Sequence, residues 1–118
     1  MPRFVVLEHE SPRGRHWDFM LETGESLATW ALAAPPDSPQ IVAADSLADH
    51  RLAYLDYEGP VSGGRGSVKR WDAGTYQPER RDAAEVVVAL HGTRLIGKAT
   101  LRRSADRPGG WQFSFAPL

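Results

Sequence analysis

The sequence predicts an all-β domain of antiparallel strands, a barrel or a sandwich, with one short helix. Seven or eight short runs read as strands, either alternating apolar with polar residues or apolar and β-branched throughout. Turn-forming Gly, Pro, Asp and Ser residues separate them at short intervals, which suits antiparallel neighbours better than crossover units. Only one stretch carries helical spacing, and no internal repeat or low-complexity tract interrupts the pattern.

The elements follow in order. Phe4-Val5-Val6-Leu7 is a first apolar run that ends at His9, and Ser11-Pro12-Arg13-Gly14 can fold the chain back. Trp17, Phe19 and Leu21 then alternate with His16, Asp18, Met20 and Glu22, the period of a half-buried strand. Ser26 to Leu32 is strand-like around Trp30, and Ala34-Pro35-Pro36-Asp37-Ser38-Pro39 is a breaker cluster. Ser46 to Tyr54 is the expected short helix, with Ser46 or Asp49 as N-cap and His50 and Tyr54 on one face. Gly59 to Gly66 is a glycine-dense loop. It lacks the residue order of a nucleotide-binding fingerprint but can offer Arg65, Lys69 and Arg70 to phosphate.

Beyond it, Asp72-Ala73-Gly74 reads as a hairpin turn between Ser67–Trp71 and Thr75-Tyr76. Glu85 to His91 is a β-branched strand, and Gly92-Thr93-Arg94 turns it into Leu95 to Arg102. Arg103 to Gly110 is a polar loop, and Trp111, Phe113 and Phe115 supply the last strand.

A chain of 118 residues, 42% of them hydrophobic and 25% charged, is expected to form one globular domain. No apolar run approaches the ~20 residues that span a bilayer, and no signal peptide is recognisable, so a cytoplasmic location is the expectation. Without cysteine there is no disulfide framework and no thiolate ligand, and any bound metal must use nitrogen and oxygen donors. The net charge of −1 conceals ten acids against four arginines before Gly59 and ten Lys/Arg against five acids after it. Either the basic half offers a phosphate-binding face, or the halves interleave and their fields cancel.

The segment His9 to Glu22 carries the chemistry. In an extended strand His16 and Asp18 project from one face, and a turn at Ser11–Gly14 brings His9 towards them. Two imidazoles and a carboxylate make a site for a divalent cation such as Mn, Fe or Zn, with positions left for water or substrate. The alternative is a set of hydrogen-bonded strand histidines with no ligand role.

Taken in order, several motifs resemble the 3′-phosphoesterase domain of bacterial DNA ligase D and its stand-alone relatives. They are Phe4-Val5-Val6-Leu7-Glu8-His9, His16-Trp17-Asp18-Phe19-Met20-Leu21-Glu22, Asp49-His50 with Leu52 and Tyr54, and Tyr57-Glu58-Gly59 with the glycine loop. Trp71 to Tyr76 and Leu90-His91-Gly92 through Leu95-Ile96-Gly97 complete the set. The resemblance implies a small closed β-barrel with a polar crevice holding one divalent metal, typically Mn, with Zn or Co as alternatives. It implies His9, His16 and Asp18 as metal ligands and His50 and Tyr54 as catalytic contacts to the scissile phosphate. It also implies DNA or RNA–DNA 3′ ends as substrate: a terminal ribonucleoside is removed, then the 3′-phosphate, leaving a 3′-hydroxyl. A monomer that works beside a separate ligase or polymerase is expected.

Three positions depart from the family pattern. The strand motif is usually H-x-D-x-R, and here the phosphate-clamping arginine is Met20. Arg15 and Arg65 are the foremost substitutes, with Arg13 and Arg51 also open. The usual D-H-P-L-D-Y is Asp49-His50-Arg51-Leu52-Ala53-Tyr54. The N-terminal extension that aids the phosphomonoesterase step has no counterpart before the first strand, so metal binding is expected to transfer more directly than that step.

Two rival readings remain at this level. Met20 favours a non-catalytic, metal-containing barrel that binds DNA ends or a repair partner. His16-x-Asp18 with the distant His91 and Arg102-Arg103-Ser104 imitates the 2-His-1-carboxylate site of an iron oxygenase, but leaves His9 and His50 without a role.

Overall fold

Each alternating run becomes a strand, and their antiparallel pairing brings the first strand back to meet the sixth. The computed structural model describes residues 1–118. In chain order it contains β1 (Arg3–Ser11), β2 (Gly14–Thr23), β3 (Ser26–Leu32), β4 (Val42–Arg51), a 3-10 turn (Leu52–Leu55), β5 (Gly59–Pro60), β6 (Ser67–Arg81), β7 (Glu85–Gly92), β8 (Ile96–Arg103) and β9 (Gly110–Pro117). The hydrogen-bonded order is β1-β2-β3-β4-β9-β8-β7-β6, and β6 also pairs with β1. Eight antiparallel strands therefore form a closed, barrel-like ring, which leaves no long edge open to another chain. The short β5 pairs with the first two residues of β6. No helix is long and apolar enough to cross a membrane.

Inside the ring, 17 buried residues form the main core, among them Phe4, Val6, Phe19, Leu21, Trp30, Tyr76, Leu101 and Phe113. Phe19 is central, with its ring 5.2 Å from Phe113 and 6.3 Å from Phe4. A second cluster of Val5, Leu7, Met20, Leu27, Leu55 and Val68 lies on the outer face of β1 to β3. The crossover from β4 to β6 covers that face through Leu55 and through Leu52, Tyr54 and Val61 packed beside it. Both faces of β1 are therefore buried, which is why Phe4-Val5-Val6-Leu7 is apolar without interruption.

β6 serves both clusters by means of a bulge. Val68 points to the outer cluster and Tyr76 to the inner one, although eight residues separate them. In regular strand both would share a face, because side chains alternate with a period of two. The pairing with β1 slips between Val6 and Leu7, where Asp72 and Arg70 are the partners, so Trp71 is the extra residue.

Two expectations are corrected. Ser46 to Tyr54 is not a helix: β4 extends to Arg51, and only the 3-10 turn follows. Pairing with β3 satisfies the backbone there, and the Asp49 carboxylate accepts from the Ser26 hydroxyl at 2.8 Å rather than capping a helix. Asp72-Ala73-Gly74 is not a turn, because it lies inside the 15-residue β6. The buried Asp72 carboxylate instead accepts backbone N–H groups of Thr93, Arg94 and Leu95 at 2.8–3.1 Å, holding the β7–β8 turn. Gly74 is there for close approach, since a Cβ would stand 2.1 Å from the His91 carbonyl oxygen.

The two halves of the charge distribution interleave, because the basic β6 lies against β1 and β9 against β4. Arg107 of the basic half pairs with Asp45 of the acidic half.

Asp72→Ala leaves three N–H donors without their carboxylate and should lower stability by about 3 kcal/mol, measured as the urea midpoint. Tyr76 donates its hydroxyl to the Glu22 carbonyl at 2.6 Å, and burial raises its pKa above 10. A raised phenol pKa means that the folded state favours the neutral form. Its contribution is complete below pH ~10 and is lost as pH rises through the folded value. Tyr76→Phe should cost about 1 kcal/mol at neutral pH, and its thermal midpoint should fall less than wild type above pH ~10.

Candidate metal centre

The register of the first hairpin assembles the site. His9 pairs directly with His16, and Leu7 pairs with Asp18, so Asp18 is the diagonal neighbour of His9 on the same outer face. Their donor atoms, one from each residue, lie within 4.8 Å of one another. His9 Nδ1 is 3.0 Å from Asp18 Oδ2, and His16 Nε2 is 3.0 Å from Asp18 Oδ1. Asp18 is only 2% exposed, and its Oδ1 lacks an aligned hydrogen-bond donor despite the nearby imidazole. A buried carboxylate oxygen without a donor costs free energy, and a cation removes that cost. The attraction of this carboxylate raises the His16 pKa, against the opposing effect of desolvation.

His9 is oriented from behind. Its Nε2 is 2.7 Å from the Arg65 carbonyl, which can only accept, so Nε2 carries a proton and Nδ1 is the nitrogen turned to Asp18. A backbone carbonyl that fixes the tautomer of a ligating histidine is the usual outer support of metal sites. The carbonyl is held in place by the glycine loop. Gly63, Gly64 and Gly66 all adopt left-handed φ values, and Val61 N–H bonds the Gly66 carbonyl at 2.7 Å. A Cβ on Gly66 would stand 1.8 Å from the Glu10 carbonyl oxygen, so only glycine lets the loop approach β1. Two nitrogens, a carboxylate with an unpaired oxygen and a fixed tautomer fit a divalent cation.

Beside this triad opens a cleft of about 280 Å³. His9, Asp18 and Met20 line it from the hairpin, His50 and Arg51 from the end of β4, and Tyr54 and Arg65 from the crossover. His50 donates Nδ1–H to the Ala48 carbonyl at 2.9 Å, which leaves Nε2 without a protein partner. The His50 and Tyr54 rings meet edge-to-face at 5.7 Å. Arg65 donates from Nε to the Ser62 carbonyl at 2.7 Å and from Nη2 to the Ser62 hydroxyl at 3.2 Å, and it has no carboxylate partner.

The comparisons with known proteins converge on one family. The family model described as DNA Ligase D 3′-phosphoesterase domain matches residues 7–103. The chain belongs to this 3′-phosphoesterase family. It is 38% identical over 116 residues to the multifunctional non-homologous end joining DNA repair protein LigD of Mycobacterium tuberculosis (strain ATCC 25618 / H37Rv), covering 88% of the chain and 15% of that protein. The corresponding protein of Mycolicibacterium smegmatis is 32% identical over 144 residues, covering 98% and 18%. That of Pseudomonas aeruginosa is 33% identical over 112 residues, covering 86% and 13%. The chain thus spans less than a fifth of the length of these curated relatives. The end-joining repair function is named for those whole relatives, whereas the family match itself identifies a 3′-phosphoesterase domain.

Within this 3′-phosphoesterase domain, three expected residues lie elsewhere or differently. Arg15 is outside the cleft: it lines a separate hollow with His16 and Arg13, and its guanidinium pairs with Glu10 and Glu8. Those carboxylates satisfy its charge, so it is not the cleft's phosphate clamp. Met20, at the usual arginine position, is 1% exposed and packs into the outer apolar cluster. His91 pairs with Thr75 and Ile96 and is not among the converging donors, which removes the iron-oxygenase reading. The sequence carried no sign of the Arg65 carbonyl, because a main-chain oxygen has no residue signature.

Calorimetric titration with Mn²⁺ should show one binding event in wild type and none in Asp18→Ala. Gly66→Ala, which displaces the Arg65 carbonyl, should weaken it by about 10–100-fold. Unchanged binding in Asp18→Ala would rule out this ligand set.

Proposed function

We propose that this domain is a metal-dependent DNA 3′-end-processing phosphoesterase, with His9, His16 and Asp18 holding one divalent ion, Mn²⁺ first and Zn²⁺ or Co²⁺ as alternatives. The supporting observation is the convergence of that triad beside His50 and Tyr54, in a chain of the 3′-phosphoesterase family. When bound, the metal would supply charge neutralisation at a phosphate oxygen and help place the attacking water.

The chain's own residues do the rest. Arg65, held by Ser62, offers the cleft a cation without a competing carboxylate and takes the clamping role that Met20 vacates. The Tyr54 hydroxyl, free of protein partners, donates to a non-bridging phosphate oxygen as charge builds there. His50, with Nδ1–H fixed on Ala48, presents Nε2 to the leaving oxygen. In the diesterase step a water oxygen bonds to phosphorus, the bond to the terminal ribonucleoside 5′-oxygen breaks, and that oxygen takes a proton from His50. In the monoesterase step a second water displaces the primer 3′-oxygen, which is protonated to a 3′-hydroxyl while inorganic phosphate leaves. Proton donation of this kind contributes about 10²–10⁴ in rate.

Met20 favours a second reading, a barrel that keeps the metal and binds DNA ends without turnover. A labelled primer ending in one ribonucleotide, incubated with Mn²⁺, separates the two. Shortening by one nucleoside is expected, abolished by Asp18→Ala and reduced about 10²–10⁴-fold by His50→Ala. Binding of the primer without shortening would replace catalysis by the second reading.

A further inference from the structure

We infer that the groove beside the cleft, formed by Arg51, Tyr54, Tyr57 and Ser62, is a platform for the nucleobase adjoining the scissile phosphate. The inference deepens the DNA-end reading above and rests on it for the location of that phosphate. Arg51 and Tyr54 line both the cleft and this groove, so the two are continuous. Three rings lead from one to the other, His50 to Tyr54 at 5.7 Å and Tyr54 to Tyr57 at 5.7 Å, each pair edge-to-face.

Tyr57 differs from the other exposed apolar side chains of the chain. The residue is 37% exposed, yet its side chain is held: its hydroxyl donates to the Pro60 carbonyl and its ring abuts Tyr54. A ring already fixed in place loses little conformational freedom when a base stacks on it. Ile96 and Leu118 are also exposed but line a different hollow, with no arginine in its lining.

The charge around the groove points the same way. Arg3, Arg15, Arg80, Arg102, Arg107 and Lys98 are each tied to a carboxylate. Arg51 has no such partner, and it stands where the groove meets the cleft. An exposed aromatic face next to an unpaired cation is how single-stranded nucleic acid is held, base on ring and phosphate on charge. Such stacking tolerates any base, because every base presents a π-face.

The test uses a single-stranded oligonucleotide with 2-aminopurine as its 3′-terminal base and a 3′-phosphate, bound in EDTA so that no turnover occurs. Anisotropy reports binding, and quenching of 2-aminopurine reports stacking. Wild type should bind and quench, Tyr57→Phe should do both, and Tyr57→Ala should lose the quench and bind about tenfold more weakly. An oligonucleotide with an abasic 3′-terminal residue should bind wild type and Tyr57→Ala equally. Should Tyr57→Ala fail to fold, Tyr57→Leu keeps the apolar bulk without the π-face and should give the same loss. Binding without quenching, or equal quenching in wild type and the Ala or Leu variant, overturns the platform and leaves the phosphoesterase reading standing. Absence of oligonucleotide binding in EDTA likewise overturns the platform, while the phosphoesterase reading stands or falls separately on primer shortening with Mn²⁺.

Discussion

The pairing register of β1 with β2 is the constraint on which the site depends. A one-residue slip would turn Asp18 and His16 towards the interior and push Phe19 and Leu21 outwards. The register is held by what it buries: Phe4, Val6, Phe19 and Leu21 inside the ring, Val5, Leu7 and Met20 under the crossover. The hydrophobic effect that stabilises the hairpin thereby also aligns three polar side chains. They are carried on two hydrogen-bonded strands, so little reorganisation is needed to bind a cation.

The crossover from β4 to β6 contributes the other half. It covers an apolar face that would otherwise meet water, and in doing so brings Tyr54 and Arg65 to the cleft beside His50 and Arg51 at the end of β4. The glycine loop then approaches β1 closely enough for one main-chain carbonyl to fix the His9 tautomer. Folding of the second apolar cluster and completion of the cleft are the same event. Met20 belongs to both, as a buried member of the cluster and as lining of the cleft. A methionine there strengthens the packing where a charged side chain would have served phosphate. The cations of the cleft without a carboxylate partner are Arg51, at the end of β4, and Arg65 of the crossover.

Much of this was legible from the residues alone. Period-two alternation in Trp17 to Glu22 gave the strand, its inner face and the common side of His16 and Asp18, because side chains alternate whatever the tertiary context. Seven or eight short runs with turns between them indicated antiparallel β structure. The ordered motifs indicated the 3′-phosphoesterase family, which the family match bears out. The failures share a cause. Asp49 and Ser46 signalled a helix cap, yet Asp49 bonds Ser26 across two strands. Asp72 and Gly74 signalled a turn, yet they serve contacts with the β7–β8 turn, about 20 residues away. Turn and cap residues are defined by short polar side chains or missing ones, and long-range contacts recruit the same properties.

By itself, then, the sequence determined the strand periodicity, the shared face of His16 and Asp18, and the absence of thiolate side chains. Tertiary structure decided ring closure through β1 and β6, the bulge at Trp71, and the division of arginines between paired surface and open cleft. Periodicity and residue type are local properties of the chain. Which carboxylate satisfies Arg15, and that none satisfies Arg65, depends on strands meeting across the fold, and no local pattern encodes that.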